Sequence, residues 1–273
     1  MAFPIEIADH LNYHIPIGLP ILAESGHATR FELLREWLRW CDQRHECNKR
    51  SHPGKGFPTR VLYVGDITTA ASDAVPVRLV NAAERRSDNY VALSHCWGDL
   101  PDDVKQTYCT TQYNLEQRRA GFLLHDLPQT FQDAIEVTRA LQIPYLWIDS
   151  LCIIQYGDNG NDWRRESMKM KDVFSQAYCT IAASSGVDSC SGFLERHVNT
   201  ECIHIRDDSG TQFYMSTDVD DFDRDVTNAV LNTRAWVMQE AVLSRRTIHF
   251  SANQMYLECG EGVCCENLVG LTR

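Results

Sequence analysis

Two periods of apolar residues alternate along the chain. The run Tyr90-Val91-Ala92-Leu93 leads into Ser94-His95-Cys96-Trp97-Gly98-Asp99, and a similar run, Tyr145-Leu146-Trp147-Ile148, leads into Asp149-Ser150-Leu151-Cys152. Short apolar runs bounded by polar and small residues predict strands, here delivering reactive side chains to a sheet edge. Between them Pro128 suits a first helical turn, and Phe131, Ala134, Ile135, Thr138 and Leu141 recur at helical spacing. Two strands joined by a helix predict a right-handed crossover and a parallel sheet, and such sheets bind ligands beyond the carboxyl ends of their strands. Tyr178 to Ser184 predicts a third buried strand.

On either side of this centre the pattern changes. Leu34, Trp37, Leu38 and Cys41 predict an amphipathic helix within Arg30 to Cys47, before the loop His52-Pro53-Gly54-Lys55-Gly56, and Arg60–Val64 and Val77–Val80 read as strands. Pro101 to Gln117 is a polar stretch without a clear period. Asp162 to Met168 predicts a helix whose inward side, continued past its end, carries Trp163, Met170, Val173, Phe174 and Ala177. Cys202–Arg206 and Gln212–Ser216 flank Asp207-Asp208-Ser209-Gly210 as a hairpin, a second hairpin joins Arg246–Phe250 to Gln254–Cys259, and Arg234 to Leu243 reads as a short helix carrying Trp236 and Glu240. The fold expected is α/β: a mostly parallel sheet flanked by helices, with an N-terminal helical/β lobe and added C-terminal hairpins. Residues 1–59 are expected as the N-terminal helical lobe, 60–260 as the main domain and 261–273 as a C-terminal extension; with no stop signal at Leu271-Thr272-Arg273, the chain reads as a piece of a longer protein.

Composition narrows the function. The 273 residues are 44% hydrophobic and 23% charged, enough for a sizeable core, and the net charge of -11 argues against a nucleic-acid partner, which requires clustered Lys and Arg. The start MAFPIEIADHLNYHIPIGLP has no basic segment followed by an apolar core and cleavage site, and no run reaches the roughly 18 apolar residues of a membrane span, so a cytoplasmic protein is expected. Most of the 11 cysteines then read as buried reduced thiols rather than a disulfide framework.

Four blocks in order, Ala92-Leu93-Ser94-His95-Cys96-Trp97-Gly98, Leu127-Pro128-Gln129-Thr130-Phe131-Gln132-Asp133-Ala134, Tyr145 to Gln155 and Arg234-Ala235-Trp236-Val237-Met238-Gln239-Glu240, resemble the fungal heterokaryon-incompatibility (HET) domain. The resemblance covers roughly residues 60 to 250. It implies a part in fungal self/non-self recognition ending in programmed cell death, and a distant kinship with TIR domains, some of which cleave NAD. It also implies self-association as the switch, with NAD as substrate rather than a bound cofactor and an upstream partner that the sequence does not name.

That kinship makes Glu240, in the Trp-x-x-x-Glu motif begun by Trp236, the candidate catalytic acid. Cleaving the nicotinamide–ribose bond builds positive charge on the sugar, which a nearby carboxylate stabilises. Ser94, His95 and Trp97 would line a nucleotide pocket, Asp149 would meet ribose hydroxyls or cap its turn, and Arg234, beside Trp236, would take a diphosphate or a neighbouring Asp. Against this stand a Glu240 merely paired with Arg234 or Arg245, a Trp97 that is only a packed anchor, a Cys-His hydrolase pairing His95 with Cys152, and a non-catalytic death-signalling adaptor whose aromatic strand ends bind a protein. Cys41-x-x-x-His45-x-Cys47 places Cys41 and His45 on one helical face, near enough to share zinc, but the fourth ligand would have to come from Cys259, Cys264 or Cys265 at the far end. Lacking that ligand, the motif reads as a helix with packed thiols, and no metal is expected.

Overall fold

The computed structural model describes residues 27–48, 57–65, 76–196, 202–206, 210–216, 221–234, 237–267 and 270–271. Its strands are β1 (Arg60–Tyr63), β2 (Arg78–Asn81), β3 (Val91–Ser94), β4 (Tyr145–Trp147), β5 (Cys179–Ala182), β6 (Cys202–Arg206), β7 (Gln212–Ser216), β8 (Arg246–Phe250), β9 (Met255–Cys259), β10 (Gly262–Cys265) and β11 (Gly270–Leu271). Nine of them form one sheet in the order β11-β10-β9-β8-β5-β3-β4-β1-β2, while β6 and β7 pair separately. The α/β expectation holds, with the parallel part confined to the middle. The neighbours β8, β5, β3 and β4 run parallel, and every outer pair is antiparallel.

The central strands are apolar because helices cover a parallel sheet on both faces, leaving no solvated side for polar residues. Every residue of β3, β4 and β5 is buried. The helices are α1 (His27–Arg44), α2 (Asp102–Tyr108), α3 (Leu115–Ala120), α4 (Gln129–Ala140), α5 (Asp149–Cys152), α6 (Asn161–Ser167), α7 (Met170–Gln176) and α8 (Val237–Leu243). α4 makes the crossover from β3 to β4, and the predicted inward residues from Phe131 to Leu141 are all buried. α1 buries Phe31, Leu34, Trp37 and Leu38 in the same core as the strands. On the other side β1 pairs with β4 through Leu62↔Leu146 and Tyr63↔Tyr145, so these early strands extend the sheet. Both predicted hairpins are present, β6 with β7 and β8 with β9. Among the described residues, no helix is long and apolar enough to cross a membrane. The loop His52-Pro53-Gly54-Lys55-Gly56 lies outside them.

One stretch without a clear period proves helical, and one expected burial fails. The polar stretch Pro101–Gln117 contains α2 and the start of α3, short solvated helices whose few buried residues leave little apolar period. Trp163 does not face inward: it is 45% exposed, because α6 and α7 are separate helices and the inward side of α6 carries the buried acids Asp162 and Glu166 instead.

The winding of the sheet singles out one place. Along the sheet the parallel strands lie β4-β3-β5-β8, so the chain steps from β3 to β4 on one side and then crosses back to β5 and β8 on the other. The direction reverses between β3 and β5. In doubly wound sheets the crevice beyond the carboxyl ends of two such strands is where ligands bind.

Candidate functional site

Ser94 is the last residue of β3, paired in register with Ala182 of β5, and its carbonyl accepts the Ala183 N–H at 3.0 Å. The chain then runs through His95, Cys96 and Trp97 to Gly98. Gly98 has φ +73°, and a Cβ there would come within 2.2 Å of the Asp188 Cβ, so the turn out of β3 requires glycine. Asp149 leaves β4 as the first residue of α5. One of its carboxylate oxygens accepts the Ser150 N–H at 2.7 Å and the other accepts Trp97 Nε1–H at 2.9 Å, which ties the two strand exits together.

α8 supplies the third side. Val237 packs with Cys96, Ala182 and Leu231 in a small apolar cluster against the ends of β3 and β5. Glu240 lies one helical step further on, at i+3, and so shares that face. There the Ser94 hydroxyl donates to Glu240 Oε2 at 2.5 Å. Arg234, just before this helix, donates through Nη1 to the His95 carbonyl rather than to an Asp. The structure therefore brings Ser94, His95, Trp97, Asp149, Arg234 and Glu240 together at the carboxyl ends of β3, β4 and β5, where the winding reverses. Trp236 lies outside the described residues.

The electrostatics follow from burial. Glu240 is only 6% exposed, and removal from water pushes its carboxyl up to about 7; the Ser94 hydrogen bond opposes this, the Asp149 charge adds to it and Arg234 opposes it. Near neutrality the acid thus exists in both charge states. His95 is buried as well, which lowers its imidazole to about 4 despite the Asp149 charge, and it is neutral at physiological pH. Its ring stacks on Trp97 at 6.5 Å and meets Phe131 edge-on at 5.0 Å, while Nε2 has no hydrogen-bond partner among the described residues. The motif-by-motif reading of the sequence did not place Phe131 at this site, although Phe131 belongs to the second of the four blocks.

A thiol mechanism fits poorly. Burial pushes the Cys152 thiol up to about 12, so it stays protonated, and His95 Nε2 meets no hydrogen-bond partner among the described residues, this thiol included. A surface recess of about 360 Å³ lined by Ala82, Ala83, Arg85, Arg86, Ser87 and Asp88 lies before the amino-terminal end of β3, away from these groups.

A family model described as Heterokaryon incompatibility protein (HET) matches residues 90–240. The interval begins just before β3 and ends on Glu240, so all of the groups above fall within it. No curated protein and no solved structure matches the chain.

Proposed function

The chain belongs to the heterokaryon incompatibility (HET) family and so has a role in heterokaryon incompatibility and cell death; on that premise we propose that it acts as an NAD glycohydrolase once it self-associates. The observation that carries this reading is a deeply buried acid that makes no salt bridge among the described residues and is held by the Ser94 hydroxyl where the sheet winding reverses.

In this reading the bond between the ribose anomeric carbon and the nicotinamide nitrogen breaks with its electron pair leaving on nicotinamide. Because nicotinamide is cationic in NAD, its departure needs no strong acid. The ionised Glu240 offsets the positive charge that develops on the sugar, electrostatically or by brief covalent capture. Water then adds to the anomeric carbon and gives up a proton, so NAD and water become ADP-ribose, nicotinamide and a proton. Trp97 offers a ring face to the nicotinamide or base, Asp149 turns from the indole to ribose hydroxyls, and Arg234 exchanges the His95 carbonyl for a phosphate oxygen. Since Glu240 and Ser94 are each under a tenth exposed, substrate reaches them only when the crevice opens, which supports a monomer that is silent until copies assemble.

The test is to incubate concentrated, crowded protein with NAD and measure free nicotinamide. Release by the parent and its loss in Glu240→Gln, with circular dichroism unchanged, is the expected result. Intact NAD under every assembly condition overturns the reading in favour of a non-catalytic adaptor, and a Glu240→Ala variant that still consumes NAD removes Glu240 from the chemistry.

A further inference from the structure

At the far side of the molecule, the end of α1 meets the hairpin of β9 and β10. Cys41 lies in the last turn of α1, His45 follows with its N–H on the Cys41 carbonyl at 3.0 Å, and Cys47 sits in a short 3-10 helix, Glu46–Asn48. Cys259 ends β9, 214 residues after His45, and supplies the ligand that the local sequence lacked. We propose that Cys41, His45, Cys47 and Cys259 bind a zinc ion that staples the N-terminal helix to the C-terminal hairpin.

Geometry carries the inference. The four candidate ligand atoms lie within 4.8 Å of one another, and His45 Nδ1 stands 3.3 Å from Cys259 Sγ. Ligands about 2.1–2.3 Å from a central zinc at tetrahedral angles are about 3.5–3.8 Å apart, so a contraction of roughly 1 Å closes the site. The His45 ring packs edge-on against Trp40 at 4.5 Å, and its Nδ1 points among the sulfurs, which a pair of thiols poised for a disulfide would not require.

The donor set selects the metal. Three thiolates and one imidazole suit zinc, and four protein ligands leave no open position, which makes the site structural rather than catalytic. Binding deprotonates the thiols and releases their protons to solvent. Zinc with three thiolates carries one net negative charge, and the positive charge of the buried Arg246 near Cys41 answers it. Arg246 is itself held by Asp42 Oδ1 at 2.5 Å and the Tyr178 carbonyl at 2.7 Å. Cys41 is fully buried and the other three ligands are partly exposed, so an ion can enter from one side.

The experiment uses the full chain, expressed with zinc and dialysed against metal-free buffer. Elemental analysis is expected to find one equivalent of zinc, lost in Cys259→Ser and in His45→Ala and retained in Cys190→Ser, whose thiol is exposed and lies outside the cluster. Cobalt substitution of the unaltered chain provides a readout that needs no variant: tetrahedral visible bands with sulfur-to-metal charge transfer are expected. A chelator should lower the melting temperature of the parent and leave that of Cys259→Ser unchanged. Metal-free parent protein, a cobalt form without sulfur bands, full zinc retention by Cys259→Ser, or loss of free thiols without bound metal would each overturn the proposal.

Discussion

Asp162 and Glu240 are buried to nearly the same degree, 4% and 6% exposed, yet their surroundings differ completely. Asp162 receives Arg60 on one oxygen together with the Ile154 N–H at 2.8 Å, and Arg165 on the other. Glu240 receives one hydroxyl. The other buried acids among the described residues resemble Asp162: Asp133 accepts the Phe193 and Leu194 N–H groups, Glu166 meets Arg165 and Lys169, Asp225 meets Arg224, and Glu266 takes Arg196 on both oxygens. A carboxylate that only holds the fold together is compensated, because an uncompensated buried charge is costly. Among the described residues Glu240 makes no salt bridge, and only the Ser94 hydroxyl and the Arg234 charge favour its ionised form, a setting that suits the acid proposed for the chemistry.

The largest effect that can test this contrast is at the compensated acid. Asp162→Ala strands the buried Arg60 guanidinium and is expected to cost about 3–5 kcal/mol in chemical denaturation. A loss below about 1 kcal/mol would mean that Asp162 is no structural anchor.

Glu240→Gln should behave in the opposite way. The folded carboxyl titrates at about 7 and its usual value is 4.5, so between these pH values the unfolded chain loses its proton first. The contribution of this group is therefore intact below about pH 4.5 and is lost as pH rises through 7, reaching about 3 kcal/mol. Glu240→Gln removes that slope: near pH 4 the two proteins should match, and at pH 8 the variant should be the more stable. Nicotinamide release, if the parent shows it, should rise through pH 7 as Glu240 ionises, and the variant should have none.

Two smaller changes probe the neighbours of the acid in opposite directions. Ser94→Ala removes a hydrogen bond that favours the ionised form; it should cost about 1 kcal/mol and move the Glu240 titration to higher pH. Asp149→Asn removes a like charge and should move the same titration to lower pH, with the least effect on stability. Carboxyl carbon shifts followed by NMR read both, and shifts of the same sign would show that the two groups do not act on Glu240 as their geometry indicates.

Much of this was legible along the chain for simple reasons. β3, β4 and β5 stood out because strands of a covered parallel sheet are apolar throughout, and α4 because one of its faces repeats at helical spacing. The first hairpin was marked by its turn sequence, Asp207-Asp208-Ser209-Gly210. Trp163 was misread since a large apolar side chain suggests the core, whereas the salt-bridged Asp162 and Glu166 occupy the inward side of α6. The Ser94, Trp97 and Asp149 block was visible as residues but not as a geometry: nothing local states that the Trp97 indole would reach the Asp149 carboxylate.

The sequence by itself determined the element types, the blocks shared with the heterokaryon incompatibility family and the acids and thiols available, because local periodicity and residue identity are properties of neighbours along the chain. Which strands adjoin, which buried acid makes no salt bridge among the described residues and which distant cysteine joins Cys41, His45 and Cys47 were decided only by the tertiary structure. These depend on burial and on contacts such as Ser94 with Glu240, 146 residues apart, and Cys259 with His45, 214 residues apart, where desolvation and proximity arise from packing and not from any local run of residues.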